Sequence, residues 1–234
     1  LRLFTAFTLC TLLLPSVRAD VVINEIMATA SDRLLQYDAN GVPQIGSGNR
    51  WYQAAFDDSI WPSGTGPFGF GSVTSPPTAI STNLQTAVQY LTPTTYFRRS
   101  FNVAAGDAAR PDQVQLVVSY NDGFVAFLNG VEVARRNGGP AKKWIYHDQP
   151  AYNREAYSGT ATIPTNTNSE TINLGAASAL LVTGSNILAI HLLNASATDA
   201  TLYLKADLRI SGVPQVALVN YNDPWKFFAG VVEP

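Results

Sequence analysis

The chain has one cysteine, Cys10, one methionine, two histidines and few charges. Cys10 lies in an apolar run near the start, so no thiol follows it. This excludes cysteine nucleophiles, thiolate metal sites and disulfides from the rest of the chain. Stability there must come from an extended core. More apolar residues follow Cys10 before the polar boundary, which argues against a lipid-bearing cysteine. His147 and His191 stand far apart with no ligand motif beside either, so zinc has no support. His191, mid-strand in an apolar run, reads as a core or sheet residue. No G-x-S-x-G elbow accompanies the many serines, so a hydrolase triad has no support either. Charged residues are 14 % and the net charge is −2. Arg98-Arg99 and Arg135-Arg136 are pairs rather than patches. That balance excludes nucleic acid and anionic membranes as natural partners.

What is present begins with LRLFTAFTLCTLLLPSVRA, residues 1–19. Arg2 precedes an apolar run from Leu3 to Leu14. Pro15 follows, and Val17 and Ala19 stand at −3 and −1 of a small-residue cleavage site. This is the pattern of a secretory signal peptide, too short to span a bilayer. It predicts a secreted protein, extracellular or at the cell surface, with no membrane span.

Beyond it, strand follows strand. Residues 20–32 open with DVVINEIMA, whose Val21, Val22 and Ile23 favour a leader strand. VQLVVSY (114–120) puts Val114, Leu116, Val118 and Tyr120 on one face. FVAFLNG (124–130) opposes Phe124, Ala126 and Leu128 to Val125 and Phe127. VEVARR (131–136) returns after Asn129-Gly130, a pair suited to a type I′ turn. NILAIHLLN (186–194) is nearly all apolar, as in a strand covered on both sides. TLYLKADLRIS (201–211) alternates cleanly, with Leu202, Leu204, Ala206, Leu208 and Ile210 inward. The short helical pattern AASALLV (176–182) reads as a turn into the strand after it. Gly, Pro and Asn punctuate these runs, which predicts an all-β sandwich of two antiparallel sheets over residues 33–212. Residues 213–234 read as a linker and the opening of a second module. NDPWKFFAG there loosely echoes the region around Trp51. The alternative is a C-terminal strand packed on the first domain.

Three ordered segments carry a resemblance: RWYQAAFDDSIWPSGTGPFGFG (50–71), YFRRSFNV (96–103), and YNDGFVAFLNGVEVAR leading to GSNILAIHLLN (184–194). Together they resemble the galactose-binding-like jelly roll. It is similar to the sugar-binding domain of β-galactosidase-type and β-glucuronidase-type glycoside hydrolases. It is also similar to modules of large secreted bacterial proteins. Residues 20–28 resemble the opening strand of lamin-tail-like modules. In the hydrolases a separate barrel supplies the catalytic carboxylates, and none is present here. The resemblance therefore implies binding or scaffolding rather than hydrolysis, alongside further domains of the same polypeptide.

Asp57, Asp58 and Asp122 are the candidate metal ligands, since carboxylates suit a hard cation such as calcium. The resemblance implies that sandwich modules of this type hold a structural calcium. The plainer reading is turn capping by Asp57, Asp58 and Ser59, with Trp61 folding onto the sandwich edge. As adjacent turn residues, the first two do not straddle a substrate as a glycosidase pair must. The long connection GGPAKKWIYHDQPAYNREAYSG (138–159) is the candidate ligand site. Trp144, Tyr146, Tyr152 and Tyr157 offer faces for sugar rings, and Arg154 offers hydrogen bonds. The competing reading is a lid whose aromatics cover the sandwich. Two functions follow. One is a non-catalytic carbohydrate-binding or adhesive module, with a polysaccharide or glycan partner. The other is a structural spacer of a cell-surface protein. An accessory domain of a glycoside hydrolase stands behind both.

Overall fold

The computed structural model describes residues 49–71, 79–151 and 169–234, all within the unit Ser47–Pro234. The expected signal peptide and leader strand lie outside the described residues, as do Tyr152, Arg154 and Tyr157.

Among the described residues, twelve strands form two sheets. They are β1 (Ser63–Thr65), β2 (Phe68–Phe70), β3 (Thr82–Asn83), β4 (Thr94–Val103), β5 (Gln113–Asn121) and β6 (Gly123–Leu128). β7 (Val131–Arg136), β8 (Glu170–Ala176), β9 (Gly184–Leu193), β10 (Leu202–Ile210), β11 (Val216–Val219) and β12 (Pro224–Ala229) complete them. The first sheet runs β1-β12-β4-β9-β6-β7. The second runs β3-β2-β10-β5-β8, with β11 beside the far end of β10. Every pairing is antiparallel except β2 with β3. Single helical turns occur at Gln85–Val88, Ala105–Ala108 and Ala177–Leu180. The last falls where the sequence pattern wavered between turn and helix.

The period of two fills the space between the sheets. Leu202, Leu204, Ala206, Leu208 and Ile210 of β10 stand beside Val114, Leu116 and Val118 of β5 on the inner face of the second sheet. Phe124, Ala126, Leu128, Leu188, Ile190 and Leu192 close it from the first sheet. Each of these Val, Leu, Ile and Phe side chains contributes about 1.5–3 kcal/mol on burial. Asn129 and Gly130 take φ of 52° and 85°, the left-handed pair a type I′ turn requires. Asp122 separates β5 from β6, and there the chain leaves one sheet for the other.

The stretch after Gly212 does not leave the sandwich. β11 pairs with β10, and β12 sits between β1 and β4. Trp225 and Val219 are core residues, and Phe227 packs against them. The reason is local: PWKFFA alternates, sending Trp225 and Phe227 inward and Lys226 and Phe228 outward. The linker-and-second-module expectation is corrected accordingly, and the domain runs past residue 212 to Ala229. No helix among the described residues is long and apolar enough to cross a membrane.

β9 is buried on both faces. Its outward residues need a cover, and the site is built from that cover.

Candidate functional site

Strand register sets the platform. Residues paired across antiparallel strands share a face. Phe228, Tyr96, His191, Val125 and Arg135 thus line up across β12, β4, β9, β6 and β7 on the outward face of the first sheet. Residues 49–61, residues 137–151 and the end of the chain lie over this row.

Segment 49–61 is organised by Arg98. Its guanidinium donates to Asp58 Oδ2 at 2.7 Å and to the carbonyls of Trp51, Gln53 (3.0 Å) and Phe56 (3.3 Å). It also lies 5.1 Å from the Phe56 ring centre. Only 2 % of Arg98 is exposed, so a buried charge is met by one carboxylate and three carbonyls. The wrap carries Trp51 onto Tyr96 (ring centres 4.7 Å) and Phe127 (5.5 Å), and stacks Tyr52 on Phe127 at 4.5 Å. Trp61 stacks on Phe228 at 5.3 Å, on the sandwich as expected.

The segment after β7 is held by Arg135. Its guanidinium donates to Gly138 O (2.5 Å) and Lys143 O (2.9 Å), and pairs with both oxygens of Glu132 (2.9 and 2.7 Å). The lack of a side chain at Gly138 allows close packing: a Cβ there would lie 3.0 Å from Ile145 Cδ1 and 3.1 Å from Val125 Cγ2. Ile145 is thereby buried against the sheet. Farther on, the side chain of Gln149 accepts from Tyr146 N at 2.8 Å, and Ala151 N donates to Asn194 O at 2.8 Å. Between these fixed points opens a cleft of about 310 Å³, lined by residues 138–140, 143–145 and 149–150. That is the small end of ligand-sized clefts.

Trp144 lines this cleft and is half-buried, its ring tilted against Tyr52 at 5.8 Å. Its indole N–H is buried without an acceptor, so the ring face, not its donor, is what the cleft offers. Tyr146 lies in the same loop, also partly buried, but is not part of the lining.

Beside the cleft is a polar knot that sequence reasoning missed. Glu233 accepts from His147 N at 2.7 Å and from the Tyr96 hydroxyl at 3.4 Å. Thr94 Oγ1 donates to His147 O at 2.6 Å, and Thr92 Oγ1 donates to Gly230 O at 2.6 Å. Burial raises the Glu233 pKa, and burial together with Glu233 raises that of Tyr96 well above its usual value. His191 stacks on Tyr96 with ring centres 4.2 Å apart. Its Nε2 has no partner, and burial, then Arg135 and His147, lower its pKa to about 3. The two histidines, remote in sequence, become electrostatic neighbours. Only the strand register reveals this.

The three candidate metal ligands are not brought together. Asp57 Oδ1 accepts from Ser59 N at 2.9 Å, a turn cap that also lowers its pKa. Asp58 is committed to Arg98. Asp122 accepts from Ala195 N at 2.6 Å, and its pKa is raised to about 6 by burial. No group of three or more His, Cys, Asp or Glu side chains among the described residues could hold a metal ion. The arrangement gives each aspartate a task in the fold.

No protein-family model matches the chain, and no curated protein matches it. Three solved structures are similar to parts of it. One is the alpha-L-rhamnosidase of Streptomyces avermitilis complexed with L-rhamnose: 18 % identity, TM-score 0.38, covering 61 % of this chain and 11 % of that one. Another is the native alpha-L-rhamnosidase from Aspergillus terreus: 13 % identity, TM-score 0.35, 58 % of this chain and 15 % of that one. The third is a GH78 family rhamnosidase of Bacillus sp. GL1: 17 % identity, TM-score 0.34, 77 % of this chain and 14 % of that one. The match thus spans less than a sixth of each of these enzymes.

Proposed function

We propose that this chain is a non-catalytic carbohydrate-binding module of a larger secreted bacterial protein, acting outside the cell or at its surface. The observation that carries the reading is the cleft beside Trp144. An aromatic face lines a small concave site whose loop is pinned from beneath by Arg135. Aromatic faces take the C–H faces of sugar rings, while flanking polar groups take their hydroxyls. Glycoside hydrolysis would need two carboxyl groups facing one another across the substrate.

The competing reading, a structural spacer, draws on the packing of Trp144 against Tyr52. A glycan array probed with the full chain separates the two. Retention on at least one glycan is expected, falling about tenfold in Trp144→Ala, as for loss of a central aromatic anchor. Retention that ignores this substitution moves the site elsewhere. No retention on any glycan, with melting unchanged, leaves the spacer.

A further inference from the structure

We propose that the Trp144 cleft takes a carboxylate-bearing sugar, a uronic acid unit of a polysaccharide. This rests on the binding reading above and adds the chemical class of the ligand. The inference comes from the polar side chains of the lining. The carbonyls of Gly138 and Lys143 both accept from Arg135. Pro140 O accepts from Lys143 N at 3.3 Å. The side-chain oxygen of Gln149 accepts from Tyr146 N. Gln149 therefore has its acceptor end engaged within the loop.

The donors remain. The Lys143 ammonium is exposed, with no ion pair or hydrogen bond among the described residues. The Gln149 amide N–H groups are exposed, since its oxygen is the bonded end. Among the described lining residues Lys143 bears the only charge, and Lys142 beside it is exposed as well. Arg135 behind the loop is matched by Glu132, so it adds hydrogen bonds rather than net charge. Asp148 sits on the turn before Gln149 and is not part of the lining. A carboxylate only accepts, and two oxygens meet an ammonium and an amide. The chain's net charge of −2 means this donor bias is local and not a general affinity for polyanions.

The test is retention of the full chain on immobilised polygalacturonate, on its fully methyl-esterified form, and on the neutral glycans of an array, with dextran sulfate as competitor. Retention is expected on the free acid and not on the ester. It should weaken as salt rises from about 50 mM to about 500 mM, because screening shortens the reach of an exposed charge. Lys143→Gln should lower it about fivefold, the upper range for one exposed ion pair. Trp144→Ala should lower it about tenfold, and dextran sulfate should compete poorly. Equal competition by dextran sulfate overturns the carboxylate in favour of any anion. Retention on neutral glycans that needs Trp144 but ignores Lys143→Gln overturns this inference and leaves the binding reading standing. No retention on acid, ester or neutral glycans, with the fold intact, overturns both.

Discussion

Arg98 is a charge placed where a sandwich of this kind would otherwise carry an apolar residue. It is tolerated because segment 49–61 supplies Asp58 and three carbonyls. Replacing Arg98 with methionine strands those acceptors, and breaking such a buried pair costs about 3–5 kcal/mol. Asp58→Asn keeps an acceptor but removes the charge, and should cost about 2 kcal/mol, the range for hydrogen bonds to charged groups. Urea unfolding of both variants checks the ordering; a large loss in Arg98→Met with almost none in Asp58→Asn would show that the carbonyls rather than the ion pair hold the segment, and equal, small losses would show that Arg98 does not hold it. His191 and Asp122 set the pH behaviour, in opposite senses. His191 takes a proton near its ordinary 6.5 when unfolded but only near 3 when folded. Between those values the unfolded state binds more protons, so stability falls as pH falls through that window. Asp122 loses its proton at about 6 when folded, against an ordinary 3.8. Between 3.8 and 6 the folded state binds more protons, so this group's contribution rises as pH falls. Melting temperatures measured from pH 3.5 to 7.5 should therefore show a shallower acid loss in His191→Phe and a steeper one in Asp122→Asn. Asp122→Asn should also melt higher than the native chain at pH 7.5, and an unchanged acid slope in both would remove these two groups as its source.

At the scale of elements, the segment between β7 and the described end at Ala151 depends on one side chain reaching back beneath it. Arg135→Met leaves the Gly138 and Lys143 carbonyls without their donor, at a cost of about 1–3 kcal/mol. The loss should be local. Hydrogen exchange of amides 138–149 should quicken while β9 keeps its protection, and equal quickening in both would make Arg135 a global rather than a loop anchor. This division also explains what could be read from the chain beforehand. Strands β5, β6 and β10 were legible because period-two alternation is a local signal, β9 because its run is nearly all apolar, and Asn129-Gly130 fixed the β6–β7 hairpin. The loop stood out in the sequence through its density of aromatics, and Trp144 lines the cleft found there. Arg135 was not, since its partners are main-chain oxygens whose positions no spacing encodes. Asp58 was misjudged for a similar reason: its partner, Arg98, lies forty residues along the chain and meets it only across a sheet face. The Tyr96, His147, His191 and Glu233 knot needs four separate segments in register before any of it is visible.

For the whole molecule, the extent of the domain decides which fragment can be tested for binding. β12 is an interior strand, hydrogen-bonded to β1 on one side and β4 on the other. Without it β4 becomes a sheet edge, and Phe68, Phe97 and Trp61 lose the neighbours Phe227 and Phe228. Trp225, with 2 % of its surface exposed, leaves a hole in the core. Truncating a buried tryptophan to alanine alone costs about 3–5 kcal/mol, against a total stability of about 5–15 kcal/mol for a typical domain. β11 adds Val219 and the outer edge beside Leu208 to Ile210 to that loss. A chain ending at Gly212 should therefore fail to melt cooperatively, whereas Trp225→Ala in the full chain should fold and melt lower. Circular dichroism melts of the two distinguish the cases. A cooperative transition in the shortened chain close to that of the full one would mean that β11 and β12 are appended to the sandwich rather than part of it. The predicted outcome makes the full chain, not a fragment cut at residue 212, the one in which loss of glycan retention can be assigned to the cleft.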